Sequence, residues 1–397
     1  MNFLNEVVMA YPDAISFGPG RPPESLFDVP DALARAMQYA TAIGDDTSYR
    51  HLGQYGPTNG IIRDDIARYL RTDHAIDVAA EQVVVTVGCQ EAMLLLLLTM
   101  FDRERDVLLI SDPGYVGMTG AAHLLGIAMH PVAHTLEGLD PEAVAAAALA
   151  VRAQGRVPRA LYHAPTFNNP LGTLMPEADR RRLLAVAAEH DLMIFEDHAY
   201  GALWYDEPPP PALASLDRAG RVIFLGSFAK TLFPGLRVGF LAHPGGSGEL
   251  IANLGRAKSY TTVNTSPLMQ AVVGGTLRAH DFSLRTLVEP KRARYREQRD
   301  QMLASLANHA GAIAGVRWNR PSGGFFLVVQ VPFDFDDACV KSCAQDFGVI
   351  VTPMRYFTLT EGWRDSVRLS FSYVTPAQID RGVADLAKFI MSRMTRA

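Results

Sequence analysis

Between residues 83 and 242 the chain repeats one pattern. A short, continuous apolar run is followed by a longer stretch whose apolar positions recur at helical spacing. The runs are VVVTV (83–87), VLLI (107–110), ALYHA (160–164), LMIFE (192–196), VIFL (222–225) and VGFLA (238–242). They are rich in aliphatic and β-branched residues and too short for helices, so they read as strands. CQEAMLLLLLTMF (89–101), DPEAVAAAALAVRAQG (140–155) and PEADRRRLLAVAAEHD (176–191) read as helices. Strands that are apolar throughout and alternate with helices predict an α/β fold. Its core is a mostly parallel sheet with helices on both faces.

The alternation breaks at SLRTLVEPKRARYREQRDQMLASLANH (283–309), which is long and highly charged. It predicts a connecting helix whose arginines and lysines form a solvated face. Beyond it, GGFFLVVQV, GVIVTPM and SVRLSFS predict the strands of a second, smaller α+β domain. A chain of 397 residues is long enough for two domains.

Composition narrows the partners. A net charge of -5 argues against general nucleic-acid binding, which needs a basic face. The longest apolar run, AMLLLLLTMF (92–101), is half of what a bilayer requires, so no membrane span is expected. The N-terminal stretch has no basic region followed by a long apolar one, so no signal peptide is expected. Three cysteines, Cys89, Cys339 and Cys343, fit a reducing compartment and a cytoplasmic location. Cys339 and Cys343 lack nearby histidines, and no metal site is expected.

In parallel sheets, ligands bind beyond the carboxyl ends of the strands. The residues at those ends complement one another. Gly88-Cys89-Gln90 opens a helix, Tyr115 follows the second run, and Asn169 follows the third. Asp197 and Tyr200 follow the fourth, and Ser227 and Lys230 the fifth, in SFAKTLFPGLRVGF (227–240), which also holds Arg237. A glycine at a helix N-terminus, a hydroxyl and a guanidinium make a cup for phosphate. Tyr115 suits either a flat ring or core packing. Asp197 suits either a helix N-cap or a protonated ring nitrogen. Asn169 and Tyr200 suit a ring hydroxyl, and an enclosed lysine amine suits an aldehyde. Phosphate, flat ring, pyridinium, phenolic oxygen and aldehyde together describe pyridoxal 5'-phosphate.

Over nearly its whole length the chain resembles the class I/II aminotransferases of the fold-type I pyridoxal-phosphate enzymes. SFAKTLFPGLRVGF resembles the family's cofactor-lysine segment, NNPLG its N-P-x-G, EDHAY its D-x-x-Y, and VRLSFS its C-terminal arginine segment. The resemblance implies Lys230 as the catalytic lysine and Arg368 as the residue for the substrate α-carboxylate, with Asn169 assisting. It also implies a homodimer with shared active sites, in which Tyr55 of QYGPTNG reaches the neighbouring subunit's phosphate. The implied partition is an N-terminal arm with part of the small domain (1–45), a large cofactor-binding domain (46–282) and a C-terminal small domain (283–397).

ISFGPGRPPESLFD and YGPTNG resemble the 2-aminoadipate/kynurenine aminotransferase branch, and the first 22 residues resemble the (S)-3,5-dihydroxyphenylglycine transaminases of peptide-antibiotic pathways. Arg21 falls in a segment that covers the active site in that branch. It is read either as a substrate-binding residue or as a solvated loop arginine. Tyr356, Phe357 and Trp363 suit either an aromatic pocket or the core. Asp64-Asp65 and Cys89 depart from the branch pattern and weaken transfer of the aminoadipate substrate. The expected reaction is ping-pong transfer of an amino group from an α-amino acid to a 2-oxo acid. The same motifs are compatible with a cyclase, lyase, replacement enzyme or oxidase using the same cofactor. A regulator with an aminotransferase-like domain is disfavoured, because the resemblance starts within the first twenty residues and the net charge is negative.

Overall fold

Alternate residues of the central strands enter two different cores. Val83, Val85, Leu109, Leu161, Ile194 and Phe224 pack into one. Val84, Leu108, Ile110, Ala160, Phe195 and Ile223 pack into the other. Both faces of the sheet are therefore dry, which is why the strands read as unbroken apolar runs. The computed structural model describes residues 2–43 and 48–396.

The strands in chain order are β1 (Ile15–Ser16), β2 (Val83–Thr86), β3 (Asp106–Asp112), β4 (Ala128–Thr135), β5 (Gly138–Leu139), β6 (Val157–His163) and β7 (Met193–Asp197). Then come β8 (Val222–Ser227), β9 (Gly239–Ala242), β10 (Arg317–Trp318), β11 (Phe326–Gln330), β12 (Val349–Ile350), β13 (Thr352–Pro353) and β14 (Ser366–Ser370). An eight-stranded sheet runs β2-β9-β8-β7-β6-β3-β4-β5. β8, β7, β6, β3 and β4 pair in parallel. β9 is antiparallel to both β2 and β8, so β2 runs in the direction of β8. The carboxyl ends of β2, β3, β6, β7 and β8 consequently share one rim.

A smaller antiparallel sheet, β10-β11-β14-β13, lies C-terminal to the long helix. β1 pairs with β12, Ile15 against Val349, so the N-terminal segment is fastened to the C-terminal part of the chain. From there residues 16–21 run along the rim.

Two expectations are corrected. β4 was absent from the predicted strands. The predicted connecting helix forms as Arg285–Ala310, but only part of its basic residues, Arg285 and Arg296 among them, is solvated. Lys291, Arg292 and Arg299 are buried. Arg299 pairs with Asp206 and Asp300, and Arg292 lies over the Trp204 ring. Among the described residues no helix is long and apolar enough to cross a membrane.

Candidate active site

The rim of strand ends, residues 16–21 and the smaller sheet enclose a cavity of about 580 Å³. Its lining includes Cys89, Gln90, Tyr115, Asn169, Asp197, Tyr200, Ser227, Lys230, Arg237, Arg368 and Arg21. Eleven of the predicted residues thus meet in one place. Tyr55 is not among its lining residues; it is 79% exposed.

One end of the cavity is built for an anion. Gly88 has φ +70° and begins the helix Gly88–Met100. A methyl group on it would lie 2.7 Å from Arg237 Nη2, so glycine is what lets the guanidinium approach this helix terminus. A side chain on Gly239 of β9 would lie 2.5 Å from Cys89 N, so the strand packs directly on the helix start. From within, Glu91 Oε2 accepts from Val87 N at 2.6 Å and from the buried Lys258 Nζ at 2.7 Å. Ser227 Oγ, at the end of β8, accepts from Ala229 N at 3.2 Å. Burial, helped by the charge of Asp197, raises the Cys89 thiol well above its ordinary pKa.

The middle carries flat groups and a buried carboxyl. Asp197 ends β7, where Oδ2 accepts from Tyr162 Oη at 2.6 Å and Oδ1 from Ala199 N at 3.0 Å. Burial raises its pKa, with Tyr162, Ala199 and Lys230 pulling the other way. A cationic ring nitrogen beside it would favour the carboxylate. Tyr115 Oη reaches Gln90 Oε1 at 3.4 Å, while Gln90 Nε2 donates to Gly117 O. Tyr200 packs edge-on against Phe325 and Phe326.

Lys230 lies opposite. Leu232 N donates to Phe228 O at 2.9 Å, closing a single turn around it. Its Nζ donates to Gly20 O at 2.7 Å. Burial, then Arg368 and Arg237, lower its pKa to about 8, against the opposing pull of Asp197.

Arg368, on β14, is buried between Phe326 and Phe357, at 4.2 and 4.8 Å from their ring centres. Nη1 donates to Asn169 Oδ1 and Nη2 to Gly18 O, both at 2.6 Å. Arg21 sits at the cavity mouth with its guanidinium 4.1 Å from the Tyr373 ring. Phe357 lines the cavity, whereas Tyr356 donates to Asp337 and Trp363 packs outside it. Asp65, one of the two branch departures, is buried against Arg278.

An anion cup, a buried carboxyl, a hydrophobic slot and a lysine amine of lowered pKa fit pyridoxal phosphate, with the Gly88 cradle as the most specific feature. The sequence profile described as "Aminotransferase class I and II" matches residues 13–386. The chain belongs to the class I and II aminotransferases. It is 44% identical to an (S)-3,5-dihydroxyphenylglycine transaminase of Amycolatopsis orientalis, over 99% of this chain and 92% of the relative. It is 33% identical to a 2-aminoadipate transaminase of Thermus thermophilus, over 95% and 90%. Among solved structures, the Thermus thermophilus α-aminoadipate aminotransferase LysN, complexed with N-(5'-phosphopyridoxyl)-L-leucine, superposes with a TM-score of 0.85 at 30% identity, covering 100% of this chain and 96% of that one. A multiple-substrate aminotransferase from Thermococcus profundus gives a TM-score of 0.89 at 28% identity, covering 100% and 95%. This aminotransferase is a fold-type I, pyridoxal-phosphate-dependent enzyme.

Sequence reasoning missed Tyr162, which holds Asp197, and Phe326, Ser16 and Thr352, which line the cavity. Tyr162 sits near the end of a recognised strand, and that position was its only signal.

Proposed function

We propose that Lys230 is the catalytic lysine and Arg368 the carboxylate-binding residue of this aminotransferase, acting on an α-amino acid with an aromatic side chain. The observation that carries it is the convergence of an uncompensated guanidinium and an amine of lowered pKa on one cavity. Pyridoxal phosphate, when bound, supplies an aldehyde for the amino group and a ring that accepts the electron pair left at the α-carbon.

The residues divide the remaining work. The N–H groups of Gly88, Cys89 and Gln90, with Ser227 and Arg237, would hold the phosphate. Asp197, fixed by Tyr162, would pair with a protonated ring nitrogen of the cofactor. Asn169 and Tyr200 would hydrogen-bond the ring oxygen, and Tyr115 would pack on the ring face. Arg368 fixes the α-carboxylate so that the α-hydrogen faces Lys230. Lys230 Nζ would take that proton and hold it for return, and the half-reaction with a 2-oxo acid would use the same residues in the opposite direction.

The aromatic substrate reading is supported by the 44% identical dihydroxyphenylglycine transaminase and by Phe326, Phe357, Ser16 and Thr352 in the cavity wall. We read Arg21 as a contact to the substrate at the cavity mouth. Tyr55 reaches the neighbour's phosphate in a cytoplasmic homodimer. Exposure of the Tyr55 ring in the single chain agrees with that reading.

The test is a panel of single amino acids added to the holoenzyme, following its visible absorption and the released 2-oxo acid. Dihydroxyphenylglycine or another aromatic amino acid should give one equivalent of oxo acid and leave the amine form of the cofactor. Ammonia or oxygen-dependent products without that form would favour the lyase or oxidase chemistry instead.

Loading of the cofactor-free protein depends on the unprotonated Lys230 amine. With a pKa of about 8, the loading rate should rise roughly tenfold per pH unit below that value and flatten above it. Stopped-flow absorbance between pH 6 and about 9.5 checks this. A rate that climbs unchanged through pH 9 would place the amine at its ordinary pKa.

A further inference from the structure

Lys291 is a buried lysine for which the reading above has no use. It lies on the helix Arg285–Ala310, directly after the internal Pro290. Its Nζ donates to two backbone carbonyls, Thr231 O and Leu232 O, the latter at 3.0 Å. It has no carboxylate partner among the described residues. A lysine ammonium is rarely buried without a counter-charge, because desolvation opposes the charged form. Burial indeed lowers the pKa of Lys291 to about 8.

Those two carbonyls follow Lys230 directly. They belong to the C-terminal end of the turn closed by Leu232 N and Phe228 O. The end of a helical turn leaves carbonyls unpaired and carries partial negative charge, which a cation satisfies best. We propose that Lys291 is a positioning residue, whose ammonium caps the turn carrying Lys230 and so fixes where the Lys230 amine sits in the active site.

Two features make this more than packing. First, the turn lacks the hydrogen-bond ladder of a long helix, so the cap holds its last carbonyls from outside. Second, the cap comes from the helix that leads to the smaller sheet bearing Arg368. The cap therefore comes from the segment that joins the large sheet to the smaller one. The groups facing the Lys230 amine are Arg368, Arg237, Asp197 and the Tyr200 ring. A small displacement of the turn changes its distance to all four.

This inference rests on Lys230 being the cofactor lysine. The experiment compares holoenzyme Lys291→Met, which keeps the apolar stem and removes the ammonium, with Lys291→Arg, which keeps a cation able to donate to both carbonyls. The readouts are the midpoint of the pH-dependent visible absorption change, kcat and KM separately, and hydrogen exchange of the 227–237 peptide. For Lys291→Met the expected result is a midpoint moved by about half a unit or more. A kcat roughly 10- to 100-fold lower with KM little changed, and faster exchange in that peptide, should accompany it. Lys291→Arg should recover most of the midpoint and the kcat. Unchanged midpoint and kcat in Lys291→Met overturn the proposal. So does a loss in both variants with the midpoint unmoved, which marks Lys291 as structural only. If Lys291→Met does not fold, Lys291→Arg decides through the same two readouts against the parent: retained values support the cap, and a lost kcat at an unmoved midpoint refutes it. Lys230→Ala is the control. If it retains the pH-dependent band, the assignment of Lys230 fails, independently of Lys291.

Discussion

Replacing Lys230 with alanine will lower turnover by at least about 10⁴-fold if, as proposed, the substitution removes both the general base and the covalent anchor. No neighbour can take over. Arg237 and Arg368 carry guanidiniums, which are hydrogen-bond donors without an acceptor for the α-proton. Lys258, the closest lysine in sequence, is paired with Glu91, and the Lys291 amine is committed to the Thr231 and Leu232 carbonyls behind the turn. The variant should fold normally. Lys230 is half-buried, and among the described residues a carbonyl is its hydrogen-bond partner, so its charge is a cost to the folded state rather than a support. The phosphate cup is untouched by the substitution, so the cofactor should still bind without a covalent link. Its spectrum should then no longer respond to pH as the parent's does. Single-turnover measurement of 2-oxo acid with purified, cofactor-loaded protein is the check. A variant holding more than a tenth of parental activity removes Lys230 from the mechanism.

How readily the site could be read depended on whether a residue's meaning is local. Gly88, Ser227, Lys230 and Asp197 each directly follow or end a strand that is apolar on both faces. Finding those strands in the sequence therefore places the residues on one rim. β4 escaped because it lies toward the sheet edge, half-exposed, with His130, Pro131 and His134 interrupting its apolar residues. No unbroken run marks it. Tyr162 escaped for a different reason. Its partner Asp197 is 35 residues away on the neighbouring strand, and only the pairing of β6 with β7 brings them together. Lys291, Arg292 and Arg299 were misread because charge spacing tells which face of a helix carries the cations, not what packs against it. Here Trp204, Asp206 and the carbonyls of the Lys230 turn cover that face.

Arg368→Met will lower kcat/KM for the amino acid roughly 10²- to 10³-fold, about 3 to 4 kcal/mol, as expected for losing a paired, charge-assisted contact to a carboxylate. Arg368 is only 6% exposed and has no carboxylate partner among the described residues. Its donors go to neutral oxygens of Asn169 and Gly18. Burial lowers its pKa to about 10. A buried cation held by neutral acceptors and two aromatic faces is a site awaiting an anion. A substrate α-carboxylate regains there, in a low-dielectric setting, what the arginine lost on burial. The loss should appear for amino acids and not for the corresponding amines lacking the carboxyl group, on which parent and variant should differ by less than about threefold. Lysine should restore only part of it, since a point charge cannot reproduce the planar fork or the stacking between Phe326 and Phe357. Stability should not suffer, because methionine fills similar space without a charge to desolvate. Equal losses on acid and amine substrates would mean that Arg368 shapes the cavity rather than binding the carboxylate.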